Sequence, residues 1–215
     1  MLKVENISAG YGEKRVLYDV SFEVNDGEIV LLTGGNGSGK STVLKSIFGI
    51  ISVWAGKIYF YNTNITNTEC NSLRKKHIVY IPQNNFLFEN LTVKENLLIA
   101  GSGINKKTLS DKIQYTIDFL NINSLLSKKP FYLSGGEKKL VAFGMSILHN
   151  PKLVLFDEPL SGLDSGNSNL LLNKILELNK SGTAFLLVEH KNTQLENIDL
   201  TKIILNLGKI QNSYT

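Results

Sequence analysis

Residues 34–42 read Gly-Gly-Asn-Gly-Ser-Gly-Lys-Ser-Thr, and this run restricts the fold more than any other part of the chain. Before it, Glu28 to Thr33 is an apolar run suited to a buried strand; after it, Val43, Leu44 and Ile47 recur at helical spacing. Strand, glycine loop and helix thus follow in the order a phosphate-binding P-loop requires. The glycines let the backbone turn its N–H groups inward, and the first N–H groups of the new helix lack intrahelical partners and favour an anion. Every fixed position of the pattern is filled, which predicts a nucleoside triphosphate as ligand. Gly35, Asn36, Gly37, Ser38, Gly39 and Thr42 would surround its phosphates, Lys40 would reach the β- and γ-phosphates, and the Ser41 hydroxyl would ligate Mg²⁺.

A chain of 215 residues can bury one core, and no linker divides this one. No apolar stretch is long enough to cross a bilayer, and Met1-Leu2-Lys3-Val4-Glu5 does not resemble a signal peptide, so a soluble, intracellular chain is expected. The sole cysteine, Cys70, forms no internal disulfide and has no Cys or His cluster beside it to suggest zinc. The net charge of +4 is spread over scattered lysines and loop pairs such as Lys106-Lys107 and Lys128-Lys129. That pattern describes solvated surface, and no nucleic-acid partner is expected.

Strand-like runs at Leu2 to Ile7, Leu17 to Val24, Glu28 to Thr33 and Gly56 to Tyr61 open the chain. From Asn84 to Asn150 the pattern turns helical, with helices expected over Val93 to Ala100, Ser110 to Leu120 and Glu137 to Leu148. Strands return at Leu153 to Phe156, Ala184 to Val188 and Ile203 to Leu207, around a helix over Ser168 to Asn179. A P-loop sheet that pauses for helices and then resumes is an α/β core with a helical insertion.

Leu153-Val154-Leu155-Phe156 ends in Asp157 and Glu158. Ligands of parallel α/β sheets sit at the carboxyl ends of strands, so these acids would face the nucleotide. Asp157 suits Mg²⁺ through water, and Glu158 suits polarisation of an attacking water.

Leu133-Ser134-Gly135-Gly136-Glu137 resembles the signature of the ATP-binding cassette (ABC) family, and it stands about twenty residues before the Asp-Glu pair. Tyr11, Gln83, Ser161-Gly162-Leu163-Asp164 and His190 fall in that family's order, and the match runs along essentially the whole chain. Within the family the chain looks most similar to compact ATPase subunits of branched-chain amino acid and lipopolysaccharide transport systems. The resemblance implies an α/β P-loop NTPase core, an N-terminal antiparallel β subdomain and an inserted α-helical subdomain carrying the signature. Residues 1–83 with 151–215 would form the nucleotide-binding core and 84–150 the helical subdomain.

The same resemblance implies that Tyr11 stacks on adenine beside Val16, that Gln83 touches Mg²⁺ and the attacking water, and that Glu158 acts on this water while His190 holds it in line. Ser134, Gly135, Gly136 and Glu137 would serve the ATP of a second ABC ATPase subunit, identical or closely related, with Asp164 along the shared interface. ATP closure would drive separately encoded transmembrane permease subunits from the cytoplasmic face of the cell membrane. A soluble ATPase of a cytosolic assembly system, such as iron–sulfur cluster assembly, is the alternative use of the same cassette.

Several positions depart from the family pattern: Leu140 and Met145 stand where arginines are common, Thr201-Lys202 where Asp-Arg is frequent, and Lys191 where an acid is usual. The apolar cluster Phe86, Leu87, Phe88 and Leu91 reads two ways, as a dock for a membrane partner or as the helical subdomain's own core.

Overall fold

The structure, a computed structural model, describes residues 1–84, 87–189, 195 and 198–214, the last three by backbone alone. The chain opens with β1 (Leu2–Tyr11) and β2 (Lys14–Val24), followed by β3 (Ile29–Thr33), α1 (Lys40–Ile47), β4 (Val53–Phe60) and the two-residue β5 (Thr63–Asn64). A short α2 (Cys70–Lys75) leads into β6 (Ile78–Ile81). Three helices follow: α3 (Val93–Ala100), α4 (Lys106–Leu120) and, after two 3₁₀ turns, α5 (Gly135–Ile147). The chain then forms β7 (Leu153–Asp157), α6 (Ser165–Lys180), β8 (Ala184–Val188), β9 (Thr201–Asn206) and β10 (Lys209–Tyr214).

Ten strands make two sheets among the described residues. An antiparallel sheet has the order β2-β1-β4-β5, and a six-stranded sheet has the order β10-β9-β3-β8-β7-β6, parallel except where β10 turns back on β9. Every residue of β3, β7 and β8 is buried, because this sheet is covered on both faces. The period-2 alternation sorts their side chains. Leu31, Phe156 and Leu187 enter the core shared with α3, α4, α5 and α6, whereas Leu32, Leu155 and Leu186 enter the core shared with α1 and the antiparallel sheet.

Three departures from the sequence expectation have physical causes. β1 continues past Ile7 to Tyr11 because register shifts at Val4/Ile7 and beyond absorb Asn6, which takes a φ of 48°. α2 is six residues long with only Leu73 buried, too little for an amphipathic pattern. β10 is a polar edge strand whose existence depends on its partner β9. α3 runs from Val93 to Ala100 as expected, started by a capping box in which Thr92 and Glu95 exchange hydrogen bonds.

Candidate functional site

Strand order sets the site. Leu32 on β3 stands opposite Val188 on β8, which stands opposite Asp157 on β7, so three parallel strands end side by side. The P-loop leaves β3, Glu158 follows β7, and Glu189 follows β8 with its N–H donating to the Leu32 carbonyl at 3.3 Å.

In the P-loop, Gly39 is the N-cap of α1 in the left-handed region, and no side chain caps the helix there. Its first N–H groups are left to an anion. Gly34, at φ 153°, approaches the Leu205 carbonyl so closely that a Cβ would lie 2.0 Å from the oxygen, so no other residue fits. Lys40 is buried, and its Nζ donates to the carbonyls of Gly34 at 2.9 Å and Gly35 at 3.0 Å. Burial lowers its pKa, against the opposing pull of Glu158 and Asp157. Ser38 Oγ is buried without a hydrogen-bond partner among the described residues.

Ser41 Oγ donates to Asp157 Oδ1 at 3.0 Å, and the Tyr80 hydroxyl donates to Oδ2 of the same carboxylate at 3.3 Å. Burial raises the pKa of Asp157, with the Ser41 bond opposing. Gln83 Nε2 donates to Glu158 Oε2 at 2.5 Å. Tyr11, Lys14 and Val16 join Asn36, Gly37, Ser38, Gly39, Lys40, Ser41, Thr42 and Glu158 around one open cleft of about 420 Å³. Tyr11 stands at its edge, 49% exposed, where β1 turns into β2.

The signature residues stand apart from that cleft. Ser134 caps α5 with a capping box: its N–H donates to Glu137 Oε2 at 2.7 Å, and the Glu137 N–H donates to Ser134 Oγ at 3.2 Å. Glu137 is thereby engaged in holding the helix start. Asp164 caps α6 by accepting from the Asn167 N–H at 3.0 Å and from Asn167 Nδ2 at 2.5 Å, which holds its carboxyl below the usual range. Gly136 lies against the same Asn167, whose Cγ a Cβ there would approach to 2.7 Å. Neither Ser134, Gly135, Gly136 nor Glu137 nor Asp164 lines the cleft.

His190 and Lys191 lie outside the described residues, as does Phe86. Leu140 is buried in the core and Met145 borders an apolar groove, so both fill packing positions. Thr201 donates its hydroxyl to Glu28 Oε1 at 2.5 Å, tying the start of β9 to the start of β3. Leu87 enters the core while Phe88, 51% exposed, borders the groove together with Tyr80, Pro82, Ile99 and Met145.

Lys14, Tyr80 and Lys139 belong to the site and were not singled out in the sequence. Lys139 shows why: it is one of two adjacent lysines, yet Lys138 Nζ faces Glu89 at 3.5 Å near the surface while Lys139 is buried. A lysine three positions after Gly136, beside Leu140 and Val141, was the available signal.

An α/β P-loop fold with a detached, capped signature helix defines a nucleotide-binding cassette. A family model described as ABC transporter matches residues 17–161, and the chain belongs to that family. It is similar to the probable branched-chain amino acid transport ATP-binding protein LivF of Archaeoglobus fulgidus, 33% identical over 90% of this chain and 83% of the relative. The corresponding LivG of Methanocaldococcus jannaschii is 35% identical over 96% of this chain and 86% of its own length. Among solved structures, a nucleotide-free ATP-binding cassette from an ABC transporter superposes with a TM-score of 0.91 at 33% identity, covering 99% of this chain and 90% of that one. The ADP conformation of the cassette MJ1267 superposes at 0.88 with 34% identity, over 99% and 90% of the two chains. The chain is an ATP-binding subunit of the ABC transporter family and an ATPase coupled to transport. Among the described residues no helix is long and apolar enough to cross a membrane.

Proposed function

We propose that this chain hydrolyses Mg²⁺-ATP between two ATPase subunits set head to tail, identical or closely related, on the cytoplasmic face of a membrane. The carrying observation is the separation of its two phosphate-directed helix starts. α1 opens into the cleft with Lys40, whereas α5 opens at Ser134, and neither Ser134 nor Asp164 borders that cleft. An exposed helix start capped by Ser134 favours an anion. A second subunit turned head to tail would bring its α5 over the γ-phosphate held by this P-loop.

In this reading Tyr11 stacks on adenine with Val16 beside it. The N–H groups from Gly35 to Gly39 and the α1 start hold the phosphates, Thr42 standing in the first turn of that helix. Lys40 exchanges the Gly34 and Gly35 carbonyls for phosphate oxygens, and the orphaned Ser38 hydroxyl gains a partner. Ser41 and Asp157 offer oxygen donors 3.0 Å apart, a pair that fits Mg²⁺, which takes most of its shell from phosphates and water. The bound metal would offset charge on the transferring phosphoryl group. Glu158, oriented by Gln83, takes the proton of the attacking water, with His190 completing the alignment. Residues 1–83 and 151–215 act as the nucleotide-binding core and 84–150 as the helical subdomain. The groove between them, lined by Tyr80, Pro82, Phe88 and Ile99, receives a segment of a transmembrane permease subunit.

Gel filtration with light scattering tests the arrangement. Glu158→Gln should form a stable dimer with Mg²⁺-ATP and no dimer without it, while adding Ser134→Arg should leave a monomer. A Glu158→Gln protein that stays monomeric in ATP, or a doubly substituted one that still dimerises, removes the head-to-tail model.

A further inference from the structure

Lys139 is a buried cation that donates to two backbone oxygens of one loop. It is 7% exposed, and its Nζ donates to the Glu158 carbonyl at 2.7 Å and to the Ser161 carbonyl at 2.5 Å. Glu189, 3% exposed, holds the same loop from the other side by accepting the Leu160 N–H on Oε1 at 2.6 Å. Two buried charged side chains thus grip the segment from Glu158 to Ser161, one from α5 and one from the end of β8.

What they grip is strained. Glu158 has a φ of 51°, the left-handed region, which costs a residue with a Cβ roughly 1 kcal/mol or more. Such a conformation persists only where the surroundings over-determine it. Here the Glu158 N–H is fixed by the Val188 carbonyl at 2.9 Å and its own carbonyl is fixed by Lys139. This backbone sets where the Glu158 side chain starts, and the Val188 and Lys139 contacts are two of those that hold it.

We propose that Lys139 is a positioning residue through which the signature helix sets the aim of the Glu158 carboxylate in the same chain. This rests on the composite-site reading above and adds a consequence to it. Ser134 at the start of α5 would meet the γ-phosphate of the partner's ATP, while Lys139, just over one turn along that helix, would govern hydrolysis of this chain's own ATP. Gly136 against Asn167, and Asn167 on Asp164, tie the first turn of α5 to the far end of the same loop. A shift of α5 on closure would therefore be felt at Glu158, coupling the two ATP sites through one helix.

Steady-state ATPase kinetics, binding of a fluorescent ATP analogue and ATP-driven dimerisation in the Glu158→Gln background test this together. Lys139→Met should lower kcat by about tenfold or more while the ATP affinity changes by less than about twofold, and Lys139→Arg should restore kcat to within about threefold. The Lys139→Met, Glu158→Gln double variant should still dimerise on ATP. Wild-type kcat in Lys139→Met overturns the proposal, as does parallel loss of affinity and turnover that Lys139→Arg does not rescue. If Lys139→Met fails to fold, Lys139→Gln, which keeps two donors without the charge, carries the test. An intermediate kcat at unchanged affinity supports the proposal, and wild-type kcat overturns it. Failure of the underlying dimer reading is seen separately, as a Glu158→Gln single variant that stays monomeric in ATP.

Discussion

The amide of Gln83 donates to the carboxylate of Glu158 at 2.5 Å, so the segment leaving the core sheet for the helical insertion touches the acid at the end of β7. Gln83 follows Pro82, which borders the apolar groove with Tyr80, and Tyr80 itself bonds Asp157. Tyr80 thus touches both the groove and Asp157, and Gln83, next to the groove residue Pro82, touches Glu158. A segment docked against Tyr80 and Pro82 would bear on both carboxylates through single hydrogen bonds.

That contiguity predicts separable effects at the groove. Phe88→Ser removes a half-exposed ring from the groove wall without touching the cleft. Recruitment to membranes bearing the permease should fall several-fold, the scale of about 1–2 kcal/mol from a lost interface aromatic. ATP hydrolysis by the isolated protein should stay within about twofold. Co-purification from mild-detergent extracts, beside an ATPase assay, measures both; equal recruitment of variant and wild type would remove Phe88 from the dock.

Burial gives Asp157 a stability cost at neutral pH. Burial raises its carboxyl pKa above the ordinary 3.8, so the folded protein holds that proton more tightly than the unfolded chain does. The group's favourable contribution is present at acid pH and is lost as pH rises through the raised folded value. At neutral pH the ionised carboxylate opposes folding. Asp157→Asn keeps an acceptor for Ser41 and should raise the nucleotide-free Tm at pH 7. The gain should shrink as pH is lowered toward 3.8, and ATPase activity should be lost. Thermal unfolding followed by circular dichroism across pH decides it, and a lower Tm for the variant at neutral pH would refute the burial account.

Two neighbouring glycines should behave oppositely. A Cβ at Gly34 meets the Leu205 backbone oxygen at 2.0 Å with φ at 153°, whereas one at Gly35 meets nothing within 4 Å. Gly34→Ala should cost about 2–3 kcal/mol, because the clash is with backbone rather than a side chain that can turn aside. Gly35→Ala should change stability by less than about 0.5 kcal/mol. Urea unfolding curves of the two variants make the comparison, and equal midpoints would show that the loop yields where the structure says it is braced.

Much of this molecule was legible in the chain because local and global signals agree. The strand before Gly34, the helix over Val93 to Ala100 and the carboxylates after Phe156 each combine a period with a terminator. The missed parts depend on contacts distant in sequence. β10 is defined by its pairing to β9, and α2 by one buried leucine. Lys139 looks identical to Lys138 until α5 is laid against residues 158–161, and only then is one of the two buried. Tyr80 sat inside an apparent apolar run, and its hydroxyl acquires a role only when β6 is paired with β7.

The loop that holds Lys40 is finished from the far end of the sequence. Gly34 rests on the Leu205 carbonyl, and the Gly208 N–H donates to the Ser38 carbonyl at 2.9 Å while its own carbonyl accepts the Tyr18 N–H at 2.9 Å. During synthesis the Lys40 segment leaves the ribosome early and the β9–β10 turn late, and folding units generally assemble in that order. The braces on the Lys40 loop therefore come from residues synthesised after Asp157 and α5, so the loop reaches this shape only once the β9–β10 turn is in place.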